Sequence, residues 1–247
     1  MKVVDAFWEK RNLGLTAIEI TLDKDDQIEQ VSEQLSLSIV KCDYVVVKLP
    51  VGRVDISFLL SELGFTFIES MYHMSHNLQP MLLNEYQSDI VGDMSLISIK
   101  DNDLEFILDK IRTGIFNTDR VSLDPFFSMD QAASRYVEWL KDELKRGTEI
   151  FNVVYNRHKA GFIVLKKTGD GYHNFLDGIY DEFTGKGFAV CMRYLLNEEA
   201  RKRGSEFLST NISSNNIASL KSMFKCGFSI TDTTYVFVKH NLGKKDD

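Results

Sequence analysis

Residues 60–74, LSELGFTFIESMYHM, lie over residues 223–237, MFKCGFSITDTTYVF, with Gly64/Gly227, Phe65/Phe228, Thr66/Ser229, Glu69/Asp232 and Tyr72/Tyr235 in register. Each stretch closes a strand–helix–strand–helix pattern. A repeated unit buries its apolar face against its copy, so this echo predicts two related halves, the first truncated. The segment SHNLQPMLLNEYQSD (75–89) mixes Pro80 with several turn formers and reads as the linker between them. The expected division is a small N-terminal unit over 1–80 and a complete one over 90–247.

Apolar spacing supplies the elements. Residues 16–22 alternate as a strand, and Ile28, Val31, Leu35 and Ile39 mark a helix over 25–39. A strand over 43–50 ends at Pro50, a helix over 54–63 stops before Gly64, and a strand or a pair of short ones fills 64–74. The second half begins with a strand over 94–99 and a helix over 101–111. Ser128 followed by Gln131 is a capping-box spacing that opens a helix over 128–146. Strands follow over 149–155, 160–167 and 172–180, then a helix over 188–203 ended by Gly204. A strand over 206–210, a helix over 216–224 and strands from 227 to 239 complete the chain. This is an α/β (α+β) order with a mixed sheet flanked by helices.

Of the 247 residues, 44% are hydrophobic and 26% charged, which is globular composition. Cys42, Cys191 and Cys226 are too few and scattered for a disulfide framework or a zinc site, and no metal is expected. Such cysteine use fits a reducing cytoplasm. The opening MKVVDAFWEKRN has no apolar core of a signal peptide, and no run reaches the ~18 apolar residues of a membrane span. The net charge of −7 argues against nucleic acid as a partner.

The strongest chemical signal is YDEFTGKGFAVCMRYLLNEEARKRG (180–204). A strand enters a turn holding Gly185 and Gly187, and a long amphipathic helix leaves it. Glycines let the backbone approach a ligand closely, while free N–H groups and the helix dipole attract an anion, naturally a pyrophosphate. Lys186 adds a full charge. Neither G-x-x-x-x-G-K-[ST] nor G-x-G-x-x-G is present. The equivalent turn of the first half, LDKDDQ (22–27), holds Asp23, Asp25 and Asp26 and no glycine. Three carboxylates repel a pyrophosphate, so that half is expected to act as scaffold and wall of the substrate site.

Together with NNIASLKSMFKCGF (215–228), this stretch resembles the GNAT superfamily of acyl-CoA-dependent N-acetyltransferases. TGKGFA (184–189) is similar to that family's pyrophosphate loop. Asn216, Ser219, Lys225, Gly227 and Phe228 fall where the family usually has Asn, Ala, Lys, Gly and Phe. A degenerate half before a complete one is similar to the dTDP-fucosamine acetyltransferases of surface-polysaccharide synthesis. The resemblance implies a GNAT fold, acetyl-CoA as cosubstrate and direct transfer to a small-molecule amine, an amino sugar or its dTDP-linked form. It implies CoA contacts from Ile179, Phe183, Thr184, Gly185, Lys186, Gly187, Phe188, Ala189, Asn216 and Ser222. The family's tyrosine that protonates the leaving thiolate is Met223 here, and its loop Arg/Gln is Thr184.

Tyr235 is the remaining candidate proton donor, and Asp177 a candidate base beside the strand LDGIY (176–180), with Tyr180 and Glu182 nearby. His73 and His76 are further candidates for the cleft. Cys226 reads as core, and DPFF (124–127) as a hydrophobic plug or a stacking surface. Arg120, Arg135, Lys141 and Arg157 are the cations that an anionic sugar nucleotide would need. Two rivals stay open: a GNAT acting on another small amine or an aminoglycoside, and an inactive acyl-CoA-binding module, supported by Thr184 and Met223. The last strand and the tail NLGKKDD (241–247) leave room for a homodimer through edge pairing.

Overall fold

The computed structural model describes residues 1–241. Strand β1 (Lys2–Asp5) and helix α1 (Trp8–Leu13) precede β2 (Ala17–Thr21), α2 (Ile28–Lys41), β3 (Tyr44–Pro50), α3 (Val54–Glu62) and β4 (Thr66–His76). Helix α4 (Glu85–Gly92) leads to β5 (Met94–Ser98), α5 (Asp101–Arg112), the short α6 (Arg120–Leu123) and α7 (Met129–Lys145). Strands β6 (Glu149–Tyr155), β7 (His158–Thr168) and β8 (Gly171–Ile179) follow. A 3₁₀ turn (Asp181–Phe183) opens into α8 (Phe188–Lys202), then come β9 (Leu208–Ser213), α9 (Ile217–Lys225) and β10 (Ser229–His240).

Several elements depart from the sequence reading, and β1, α1 and α6 are additional to those expected. The expected linker 75–89 is structured at both ends: Ser75 and His76 extend β4, and Asn84 caps α4 through a capping box with Gln87. The strand expected over 206–210 is Leu208–Ser213. Elsewhere local chemistry governs the ends. Ser128 accepts from the Gln131 amide and Gln131 returns to the Ser128 amide, opening α7.

All strands join one sheet in the order β1-β2-β3-β10-β4-β9-β8-β7-β6-β5. β2-α2-β3-α3-β4 and β8-α8-β9-α9-β10 are the repeated unit. Each half gives its last strand to the other: β10 pairs with β3, β4 pairs with β9, and β4 and β10 pair antiparallel at the centre. Met71 pairs with Thr234, its own counterpart in the echo, so a local two-fold axis passes there. β10 pairs with β3 over Thr234–His240 and with β4 over Ser229–Val238, so the stretch Thr234–Val238 has neighbours on both sides and is not the edge that the expected dimer would use; the tail residues 242–247 lie outside the described residues.

Helices cover both faces. α7 packs Tyr136, Val137 and Leu140 with Ile107, Leu108 and Ile111 of α5 onto Phe162 and Val164. On the other face, Cys191, Met192 and Leu196 of α8 and Leu220 and Met223 of α9 pack onto Val153, Ile163 and Leu165. In the first half α2 and α3 bury Val31, Leu35, Ile56 and Leu60 against Val45, Val47 and Leu49. This burial is the main stabilising contribution, about 1.5–3 kcal/mol for each fully buried large side chain.

Gly161 of β7 leaves no space for a side chain: a Cβ there runs into the backbone carbonyl of Gly178 across the ladder. Backbone atoms in the middle of a sheet have little room to retreat. Gly161→Ala is expected to cost about 3 kcal/mol or more in chemical denaturation; an unchanged midpoint would refute this close approach.

Candidate functional site

β8 and β9 pair in parallel over only three positions, Tyr172–Asn174 with Leu208–Thr210, and then diverge. A register shift in β8 beside Leu165 sharpens the divergence. From Phe175 onward the β9-facing edge of β8 has no ladder partner among the described residues, which leaves a wedge in the sheet. In the first half β2 and β3 stay paired over all of β2. The wedge therefore exists only where the glycine turn exists.

The turn lies at the mouth of this wedge. Gly185 has φ +76° and Gly187 φ +81°, left-handed values that favour glycine. The backbone N–H groups of Gly185, Lys186, Gly187, Phe188 and Ala189 have no acceptor among the described residues. A run of free amides at the start of a 15-residue helix is a cradle for an anion. Phe183 and Phe188 anchor it, with rings 5.0 Å apart and Phe188 buried edge-on against Tyr155. Ile179 packs on the same core, so these apolar positions hold the turn. Thr184 caps back to the Tyr180 carbonyl, and Lys186 Nζ donates to the Glu182 carbonyl at 2.7 Å. Tyr86 of α4, missed in the linker reading, donates its hydroxyl to the Lys186 carbonyl at 3.3 Å. The Asn84…Gln87 spacing was the signal that could have found this helix.

Inside the wedge, Arg193 of α8 is 2% exposed. Its guanidinium donates to the Ala189 carbonyl (3.0 Å), to Asp177 (3.4 Å) and to the sulfur of Met223 (3.1 Å). Asp177 also accepts from Asn174, so it is engaged by two donors. Ser222 is buried on α9 with its hydroxyl unpartnered, and Asn216 caps α9 by accepting from the Ser219 amide.

The wedge is continuous with a cleft of about 1030 Å³ between the halves, which Arg193, Asp177 and Met223 also line. Its floor runs across four strands. His73 bonds Asn211 at 2.8 Å and Thr234 at 3.0 Å, and His173 bonds Ser209 at 3.0 Å through Nδ1. Burial, then Lys166 and His73, hold His173 below its ordinary value, so it is neutral at neutral pH. Its Nε2 has no partner among the described residues. Glu69 is buried on the same floor with Oε2 unpartnered, and burial pushes its carboxyl up. Trp139 and Phe175, rings 4.3 Å apart, form one wall.

Several expected residues lie elsewhere. Tyr235 faces away from the cleft, against Phe67 and the first-half core; its neighbours Thr234 and Val236 are the ones that line it. Side chains alternate along a strand, and the parity of β10 places Tyr235 on the wrong face for proton donation there. His76 is buried against Phe228, and its Nδ1 accepts from the Leu78 amide. Cys226 is buried and its thiol is raised to about 11, chiefly by burial, so it is core as read. Phe127 plugs the core against Tyr44, while Phe126 lies against His240.

The four candidate cations do not form a free patch. Arg120 and Arg135 converge, but on Glu9 (3.3 and 2.8 Å), and Arg120 also meets Glu19 at 2.7 Å. Lys141 pairs with Glu138, and Arg157 sits in the tight turn between β6 and β7. In the first half Arg53 donates to the carbonyls of Lys24 and Asp26, closing the turn equivalent to the glycine loop.

The sequence matches no protein-family model and no curated protein. Solved structures do match. A GCN5-related N-acetyltransferase from Sphaerobacter thermophilus superposes with a TM-score of 0.59 at 12% identity, over 86% of this chain and 65% of that one. A conserved protein of unknown function from Staphylococcus epidermidis gives 0.61 at 13% identity, over 92% and 85%. A tandem GNAT protein from the clavulanic acid biosynthesis pathway gives 0.56 at 11%, over 92% and 76%. This chain thus spans about two thirds of the Sphaerobacter protein. These likenesses establish the fold as that of the GNAT N-acetyltransferases, in the two-half arrangement of the tandem protein.

Burial raises the Glu19 carboxyl, but Arg120 and Lys48 outweigh it and hold it at about 2. The stabilisation is present above the unfolded value of 4.5 and is lost as pH falls toward 2. Glu19→Gln is expected to cost about 3 kcal/mol at pH 7. The gap between variant and wild type should close below about pH 2; a gap independent of pH would contradict this account.

Proposed function

We propose that this protein is an acetyl-CoA-dependent N-acetyltransferase that transfers acetyl directly to the amine of a polar small molecule. The observation that carries the reading is the pairing of five free amides at 185–189 with a wedge present in this half alone. These residues fit acetyl-CoA at its phosphate end, because the cradle is open at Gly185, where a Cβ meets nothing within 4 Å, and Lys186 lies beside it. The amides of Gly185 to Ala189 would hold the pyrophosphate, and the free edge of β8 the pantetheine amides. Bound acetyl-CoA supplies an activated acyl carbon and a thiolate leaving group.

The acceptor enters from the cleft. An amine attacks only after losing its proton, and His173, neutral with a free Nε2 on the cleft floor, is the base that takes it. Trp139 and Phe175 offer a stacking wall and His73, Asn211 and Thr234 a hydrogen-bonding floor, which suit an amino sugar. The arginines that converge there are engaged by carboxylates, which favours an uncharged amino sugar or another small amine over its dTDP-linked form. A second reading, an acyl-CoA-binding module without turnover, has Met223 and the buried Arg193 in the wedge in its favour.

Saturating acetyl-CoA is expected to raise the melting temperature by about 5–10 °C. Gly187→Asp should abolish that shift while keeping the fold, because a carboxylate would stand where the pyrophosphate goes. No shift in the wild type would remove both readings, and binding without thiol release across amino sugars, aminoglycosides and polyamines would select the second.

His173→Gln is expected to lower kcat/KM about 10²-fold. It should also erase the acidic limb of the pH profile, which in the wild type lies below the ordinary histidine range because burial, Lys166 and His73 lower His173. A variant with wild-type rate and profile would exclude His173 as the base.

A further inference from the structure

Arg193 is among the largest fully buried side chains of the described residues, and it carries a charge. Transfer of an ion from water to a protein interior costs several kcal/mol unless it is paired and hydrogen-bonded. Here the pairing is thin. Asp177 meets the guanidinium through one oxygen at 3.4 Å and also accepts from Asn174. The other two bonds go to neutral acceptors, the Ala189 carbonyl and the Met223 thioether. Beyond these three bonds, the other N–H groups of the fork have no acceptor among the described residues. This cation lies in the wedge, one helical turn and a half from the free amides, and it already directs an N–H at a sulfur atom. Its field also acts on a neighbouring thiol: it favours the thiolate of Cys226, although burial outweighs it there.

We propose that Arg193 stabilises the negative charge that develops on the leaving sulfur, doing by charge what a proton donor does elsewhere. The proposal rests on the acyl-CoA reading above. The amine nitrogen bonds to the carbonyl carbon, the carbon–sulfur bond breaks, and its electron pair goes to sulfur. His173, having passed the ammonium proton to water before attack, takes the second nitrogen proton as the amide forms, and the sulfur, held as thiolate beside the guanidinium, takes a proton from water on release. Met223, which has no proton to give, then serves as a soft neighbour that keeps the guanidinium aimed at the sulfur position.

The test is a titration of the thiol of bound CoA, followed by the ultraviolet absorbance of its thiolate, for the wild type, Arg193→Lys and Arg193→Met. An opposite charge this close lowers a pKa by about 1–3 pH units. The wild-type complex should show that lowering, Arg193→Lys should keep part of it, and Arg193→Met should return the thiol to its value in free CoA while still binding the cosubstrate. The wild-type titration decides alone if Arg193→Met fails to fold: a bound thiol that titrates as in free CoA overturns the proposal. Equal titration in wild type and Arg193→Met, with tighter CoA binding by the variant, would show that Arg193 merely obstructs the wedge. A wild type that binds no CoA would overturn the underlying acyl-CoA reading, and this proposal with it.

Discussion

The antiparallel pairing of β4 with β10 is the constraint on which the rest depends. Because each strand belongs to the other half's sheet edge, neither half can complete its sheet alone. The two-fold relation through Met71 and Thr234 brings Glu69 and His73 beside Asp232, Thr234 and Val236 on one face. That face becomes the cleft floor. Across it, Glu9 and Glu19 of the first half hold Arg120 and Arg135 of the second, with all four side chains at most 15% exposed. Removing one partner of such a lattice leaves an uncompensated buried charge, which is costlier than the net value of the lattice. The exchange sets where the halves meet, and the ion lattice sets at what spacing.

Symmetry ends at the wedge. The first half keeps β2 and β3 zipped, and Arg53 satisfies the carbonyls of the turn before α2. The second half opens after three paired positions and exposes amides. Both are parallel strand–helix–strand units, so the difference lies in side chains and not in topology. Gly185 and Gly187 reach positive φ without strain, whereas the aspartates of the first turn place negative charge where an anion would come. One copy of the unit has become wall and the other retains the cradle.

Much of this was legible in the sequence because it follows from local rules. Period-2 and period-3.6 apolar spacing located most elements, and the glycine turn was readable from residue types alone. The strand exchange was not. Both partner choices for β4 present the same alternating pattern, and the choice between them is made by contacts far apart in sequence. Tyr235 was misplaced for a related reason: composition identifies a tyrosine, but only register decides its face. Arg193 was within reach. It stands on the stripe with Leu196, Asn197 and Ala200, at helical spacing that marks it as buried, and a buried arginine asks for a partner.

The electrostatics differ along the wedge. At its mouth the protein offers positive character, with free amides at a helix start and Lys186, and deeper in stands Arg193. Elsewhere in the cleft Glu19 is held by Arg120 and Lys48, and Asp142 by Arg11. For the proposed amine acylation, a neutral imidazole such as that of His173 removes the ammonium proton and leaves a nucleophile. Charge develops on sulfur and not on nitrogen, so a cation belongs on the sulfur side of the wedge. Arg193 and His173 both line the cleft, Arg193 bonded to Met223 and His173 to Ser209.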